Sequence, residues 1–528
     1  MGNDDSKQLV KGAIVLAGAG LIGKVLGASY RIPVQNLLGD EGFYIYQQIY
    51  PILGLALMLS LFGFPSAVAK VASSFEEEGQ VAGWRNFYMP AWVVLMIACV
   101  LFWAVLYVSS GLLASVIGDG KLRQLYESAS FVFLAIPFTA VLRGMCRVDA
   151  DMVPVAKSQL AEQTIRVAFI IGAATVIGSG AVNLYRIGTA AAIAALLGAA
   201  SAVFILGNHF RRNSLSESAP FGHFSWSYHA STLLGIGIVA TLNHALLLII
   251  QLGDMLTMLP SLRQFGLNFN EAVIEKGIFD RGQPLIQIGS VLGSALALSV
   301  MPAISQRKLR EEPGVYGPFM RIAFKLSIAI GTGAALGLIF IFPETNRLLF
   351  EDDAGTGALR ILMLSVFISS IAITMAAMLQ GLGFYRRTAY WILVCFASKI
   401  VLNLLLVPLL GITGGALATV LALLLMLLLT GRDLIKHTRK VFISNKRQTQ
   451  VLAVASIGMM TFLIIGKTVL NTQFTHSRII LLAEVVLLVA GGAGIFLWLL
   501  IRRNGFFTDE ELLMLPASRI FMKIRKIK

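Results

Sequence analysis

The residues in this chain able to do chemistry are few, and most are charges set in apolar surroundings. Lys24 and Arg31 stand seven positions apart, on one face of a helix. Gln159, Glu162, Gln163 and Arg166 follow an i, i+3, i+4, i+7 spacing and form one polar stripe, in which Glu162 and Arg166 can neutralise each other. Asp254 lies in a further apolar run, and Asp280-Arg281 opens the next. Such a set works by electrostatics: ammonium and guanidinium groups attract anions, and arginine grips phosphate oxygens bidentately. Each residue also has a plainer reading. Arg31 can snorkel to an interface, Glu162 and Arg166 can be a structural pair, and Asp280-Arg281 can cap a helix and complement its dipole. The sequence offers no Gly-rich phosphate loop, no paired metal ligands and no Ser/His/Asp arrangement, so neither catalysis, cofactor nor metal is expected. His244, alone within an apolar run, reads as a core polar group, and Cys99, Cys146 and Cys395 as small hydrophobes.

The elements that hold these residues follow from composition. Of 528 residues 57% are hydrophobic and 13% charged, with a mean hydropathy of +0.78. A water-soluble protein carries roughly 25% charged residues, so a soluble multidomain enzyme is excluded. Apolar runs of about 20 residues, each long enough to cross ~30 Å of hydrocarbon, recur along the chain. About fourteen are counted, from 11–36 and 45–69 through 158–179, 231–257, 281–305 and 388–408 to 477–501. A β-barrel is excluded because stretches such as Val420 to Leu429 are apolar on every side. The expected class is therefore an all-α integral membrane protein. Segment 1–36 is not read as a cleaved signal peptide, since Lys24 and Arg31 follow where the cleavage site would be. Met1 to Ser6 fits a myristoylation pattern, which a chain with so many spans does not need.

Lys and Arg set the orientation. The loops after odd-numbered spans hold Lys121, Arg123, Arg263, Lys276 and Arg347, whereas the termini and remaining loops hold about 25 of the 43 basic residues. The positive-inside rule then places both termini in the cytoplasm. The net charge of +15 is accounted for by loops facing anionic phospholipid, at about 1 kcal/mol per basic residue near the surface, so no nucleic-acid partner is expected. The tail 512–528 mixes apolar with basic residues and predicts an interfacial helix on the cytoplasmic leaflet.

The two halves repeat. Phe64-Pro65-Ser66-Ala67 matches Met301-Pro302-Ala303-Ile304, Leu142-Arg143-Gly144 matches Leu379-Gln380-Gly381, and Glu162 falls opposite Lys399, all at an offset of 237. An even number of spans separates the copies, which makes the repeats parallel about an axis along the membrane normal. Parallel repeats are typical of rocking transporters. The expected organisation is an N-terminal six-helix lobe (1–215), a C-terminal six-helix lobe (216–447), two extra helices (448–502) and a basic tail (503–528).

Several blocks carry a resemblance. Lys24-Val25-Leu26-Gly27-Ala28-Ser29-Tyr30-Arg31-Ile32-Pro33, Leu38-Gly39-Asp40-Glu41-Gly42 and Tyr46-Gln47-Gln48-Ile49-Tyr50-Pro51 form one. Gly63 to Lys70, Leu142-Arg143-Gly144 and the stretch from Ser158 to Val167 form others. Together they resemble the stage V sporulation protein B branch of the polysaccharide flippases, relatives of the lipid II flippases, along nearly the whole chain. The resemblance implies two six-helix lobes about a central cavity, plus two C-terminal helices. It also implies alternating access that carries a polyprenyl-diphosphate-linked sugar from the inner to the outer leaflet of the bacterial plasma membrane; the protein is expected to be a monomer. The resemblance places Lys24 and Asp280-Arg281, the latter leading into Pro302 to Arg307, at the cavity; Arg31 and the stripe of Gln159, Glu162 and Arg166 are expected at the cargo site from their charge and spacing in apolar spans. The cavity arginine that lipid II flippases carry in the second helix has no counterpart, since Gly54 to Phe62 hold nothing more polar than Ser60. Some of those flippases also bind sodium in the second lobe. By resemblance the corresponding places here are Asp254, Asn403 and Thr419, with Lys399 one turn before Asn403. A tethered ammonium would then replace a diffusible cation, with Asp254 as counter-ion; the plainer reading is that Lys399 snorkels. Two rivals stand beside the flippase: a cation-coupled multidrug exporter of the same fold, and a membrane-embedded glycosyl-transfer enzyme.

Overall fold

The computed structural model describes residues 18–77, 82–212, 225–299, 313–438, 446–470, 477–503, 505–515 and 518–526. Met1 to Ser6, Pro302 to Arg307 and the expected lobe boundary at 215/216 lie outside them. Among the described residues 92% are helical and none is in a strand. Twelve helices there are long and apolar enough to cross a membrane. One of these runs from Gly18 to Glu77, 60 residues. A straight helix of that length would be about 90 Å long, three bilayer cores, so it must contain more than one crossing. It does, because Gly39, with φ 66° and ψ −175°, breaks the helical path. The expected eighth span also runs beyond residue 299, where description stops. These two facts account for the difference between twelve and about fourteen.

The chain packs as two compact units, Met1–Asp280 and Arg281–Lys528. In the first, helix α1 (18–29) leads into α2 (Arg31–Met58), a π-helical turn (Leu59–Gly63) and α3 (Phe64–Glu77). There follow α4 (Met89–Ile117), α5 (Arg123–Ser130), α6 (Ile136–Val148), α7 (Met152–Val176) and α8 (Arg186–Arg212). Then come α9 (Trp226–His244), α10 (Leu246–Gln264) and α11 (Phe269–Asp280). The second unit holds α12 (Gly282–Ser299), α13 (Pro313–Phe340), α14 (Phe342–Phe350), α15 (Thr356–Gly381), α16 (Tyr385–Leu410) and α17 (Ile412–His437). It ends with α18 (Lys446–Leu470), α19 (Arg478–Arg502), α20 (Asp509–Leu513) and α21 (Ser518–Lys526).

Helix α4 shows why these segments belong in lipid. Leu101, Val105, Val108 and Leu112 recur every three or four residues and are exposed, Val108 by 82%, while Leu95, Cys99 and Ala114 are buried. Water would penalise that outer stripe at about 25 cal/mol per Å²; hydrocarbon does not. Small polar groups tie the inner faces. In the first unit Ser60 Oγ meets Thr139 Oγ1 at 2.8 Å, and in the second Ser290 Oγ meets Ser369 Oγ at 2.5 Å, each pair 79 residues apart. Ser290 lies 230 positions after Ser60, two helical turns short of the 237 read from the motifs and so on the same helix face.

The tail is a folded cap of the second unit. Thr508 and Glu511 form a capping box at the start of α20, and Glu511 also takes a buried ion pair from Lys325 of α13 at 2.7 Å. Phe506, Phe507, Leu512 and Leu515 join the apolar core of α13, α18 and α19, with Phe521, Met522 and Ile524 packed against it. Arg519 and Lys523 of α21 remain exposed.

Candidate functional site

The π turn organises the first polar cluster. Phe64 N–H bonds back to Leu59 O instead of Ser60 O, which leaves the Ser60 carbonyl without its regular helical donor. Pro65 has no N–H for Leu61 O. Two arginines of α6 supply what is missing: Arg143 Nη1 donates to Ser60 O (3.2 Å) and Ser60 Oγ (2.7 Å), and Arg147 Nη2 donates to Leu61 O (2.6 Å). The distortion is therefore held by charged donors rather than by backbone.

Arg143 also reaches α7. Its Nη2 donates to Glu162 Oε2 at 2.6 Å, and Arg166 Nη2 donates to Glu162 Oε1 at 3.2 Å, with all three side chains less than a tenth exposed. The Glu162–Arg166 pair expected from spacing is present, but the shorter contact to Glu162 comes from Arg143, which spacing does not reveal. In the sequence Arg143 stands out only through the repeat motif; the signal for a partner elsewhere is that its own helix offers it no carboxylate. The rest of the stripe meets α1. A Cβ built on Gly23 would lie 3.4 Å from Gln159 Nε2, and one on Gly27 3.9 Å from Gln163 Oε1, so the glycines permit this approach without being required for it. Lys24, between them, is exposed.

A second cluster of the first unit lies on α2, α10 and α11. Arg31 is fully buried with its guanidinium 4.3 Å over the Tyr50 ring, so it does not snorkel. Tyr30 and Tyr46 share a hydrogen bond beside it. Lys276 donates to both carboxylate oxygens of Asp280, at 2.6 and 2.5 Å, and Asp254 and Arg31 lie within electrostatic reach of the same carboxylate. Asp254 and Asp280 are 1% and 2% exposed. Neighbours in sequence, Asp280 and Arg281 face different partners. Arg281, the first residue of the second unit, forms a two-point contact with Asp352 of the same unit, at 2.5 and 2.9 Å, and lies 5.4 Å from the centre of the Phe350 ring. Burial pushes the Asp352 carboxyl up, but the Arg281 hydrogen bond, the Ala354 N–H and the Arg281 charge outweigh it and hold the group below its usual value.

The third cluster lies on α16 and α17 of the second unit. Lys399 is fully buried, and its Nζ donates to Thr419 Oγ1 at 2.6 Å and to Gly415 O at 3.1 Å. Asn403, one turn on, is also fully buried. An ammonium so placed does not snorkel. Asp254 and Lys399 belong to different units.

Membrane-length helices with apolar outer stripes and buried ion pairs define the class: a multi-pass membrane protein. The family model described as "Polysaccharide biosynthesis protein" matches residues 9–308, and the chain belongs to that family. It is 35% identical to the uncharacterized membrane protein YabM of Bacillus subtilis, over 98% of this chain and 96% of that one. It is 22% identical to the lipid II flippase MurJ of the same organism, over 93% and 94%. Among solved structures, the lipid II flippase MurJ in an inward closed conformation superposes with a TM-score of 0.64 at 14% identity, covering 93% of this chain and 100% of that one. The family read from the motifs is the family shown.

Proposed function

We propose that the protein is a flippase that moves a polyprenyl-diphosphate-linked cell-envelope oligosaccharide from the inner to the outer leaflet by alternating access, without covalent chemistry. The observation that carries this reading is the sign of the charge in the α6–α7 cluster of the first unit. Around α6 and α7, Arg143 and Arg166 share one carboxylate, Glu162, while Arg147 beside them donates to Ser66 Oγ and Leu61 O, so cations are in excess in that cluster. A cationic cluster attracts a diphosphate, and low dielectric magnifies the attraction. It repels the cationic drugs that a multidrug exporter would carry. A glycosyl-transfer enzyme would instead give a covalent product from purified protein.

In this reading Lys24 and Arg31 draw the diphosphate, Gln159, Glu162 and Arg166 shape the wall beside it, and Arg281 exchanges Asp352 for a phosphate during the cycle, leaving Asp280 held by Lys276. Asp254, Lys399, Asn403 and Thr419 belong to cation coupling, with the Lys399 ammonium standing for the ion. Both termini face the cytoplasm, where the basic tail meets anionic phospholipid, and one chain suffices. The test is genetic: expression of this protein in a bacterium depleted of its lipid II flippase is expected to restore growth or polysaccharide export. Failure to support either, with normal membrane insertion, contradicts the proposal.

A further inference from the structure

The cationic wall of the first unit continues beyond the residues just assigned. Arg147, one turn past Arg143, rests its half-buried guanidinium on the distorted segment, with Nη1 to Ser66 Oγ at 2.5 Å and Nη2 to Leu61 O at 2.6 Å. These bonds use two of its five N–H groups; Nε–H is buried, and one N–H on each of Nη1 and Nη2 remains. On the same π turn the Phe62 ring stacks on His244 at 4.3 Å with an interplanar angle of 24°. His244 ends α9, where the path breaks at Ala245 (φ −107°, ψ 12°) before α10 begins. The approach of α9 is close here, since a Cβ on Gly63 would stand 2.7 Å from Gly237 O.

Exposure distinguishes this place from the buried clusters. His244 and Lys24 are both exposed, although each lies well inside an apolar run. Lys24 and Arg147 are the charged groups that act on His244. An ammonium, an arginine fork and an imidazole therefore lie within electrostatic reach of one another in the first unit, with the ammonium and the imidazole exposed. The stack on Phe62 fixes the plane of the imidazole, and the bonds to Ser66 and Leu61 fix the fork. Preorganised donors of this kind suit an anion with several oxygens.

We propose that Lys24, Arg147 and His244 form an anion subsite for the diphosphate of the cargo, with Arg147 and His244 as further specificity-determining residues. This rests on the flippase reading above. Lys24 acts as a point charge, Arg147 grips two oxygens, and His244 donates one N–H.

The test uses the full chain in detergent or nanodiscs. Binding of inorganic pyrophosphate is followed by calorimetry, and binding of undecaprenyl diphosphate, undecaprenol and phosphatidylglycerol by native mass spectrometry. His244→Phe keeps the stack on Phe62 but removes the donor, whereas Arg147→Gln also strips Leu61 O of its partner and can unfold the turn. His244→Phe is expected to weaken pyrophosphate and undecaprenyl diphosphate about tenfold, the effect of one hydrogen bond to a charged group. Undecaprenol binding and the melting temperature should not change. Wild-type affinity of His244→Phe for both diphosphates overturns the subsite, and an equal loss of phosphatidylglycerol reassigns it to a lipid headgroup and overturns the cargo. If wild type binds diphosphate but moves no lipid-linked sugar, the flippase reading falls and the subsite stands. If wild type moves that sugar and His244→Phe does so equally well, the subsite alone falls.

Discussion

Glu162 carries two arginines, and that ratio decides what its removal does. Glu162→Gln leaves Arg143 and Arg166 facing a neutral amide inside the first unit. Breaking a buried pair in this way costs about 3–5 kcal/mol, because the desolvation of the remaining charge is no longer offset. We expect a clear fall in melting temperature for Glu162→Gln and partial recovery on adding Arg143→Met; a double variant less stable than the single contradicts the pairing. Half of this was legible in sequence. Glu162 and Arg166 share a helix, so the 3.6-residue period exposes their contact, whereas Arg143 comes from another helix and its approach depends on tertiary packing. Lys399 is a similar case: a lysine in an apolar run is ambiguous between interface and interior, and only the partners Thr419 and Gly415 decide it. If its ammonium stands for a coupling ion, transport by wild type is insensitive to sodium and Lys399→Asn gains sodium dependence. Sodium-stimulated transport by the unmodified protein would reject that role.

At the scale of elements, the sequence announces where helices run better than where they bend. Pro65 was visible, but the π turn ahead of it depends on Arg143 and Arg147 arriving from α6 to take the freed carbonyls. Gly39 marked a break within 60 helical residues only once its φ was known. The tail departs in part from the interfacial helix expected for it: residues 505–515 are folded into the second unit, and α21 shows basic residues outward over an apolar underside. Its anchor is testable by a substitution that spares the cap. Glu511→Gln keeps a side chain able to complete the capping box but leaves Lys325 buried without its carboxylate. The expected cost is again about 3–5 kcal/mol, read as a lower melting temperature, with Lys325→Met added to Glu511→Gln recovering most of it. An unchanged melting temperature for Glu511→Gln would show that the tail is not held by this pair.

At the scale of the molecule, composition and hydropathy were sufficient for the class, because a 13% charged chain of this length has no other way to satisfy its surface. Motif blocks were sufficient for the family. Neither gives the cargo, which depends on the sign and placement of interior charge, and that placement depends on which helices meet. The proposed function requires that cationic groups of the first unit move a diphosphate-linked sugar. Its most direct measurement is translocation of a fluorescent undecaprenyl-diphosphate-linked saccharide in proteoliposomes, read by protection from a membrane-impermeant quencher, with wild type beside Lys24→Glu. The account predicts movement by wild type and at least a tenfold loss in Lys24→Glu, with insertion and melting temperature preserved since Lys24 is exposed. Equal movement by both proteins, or none by wild type, would contradict it.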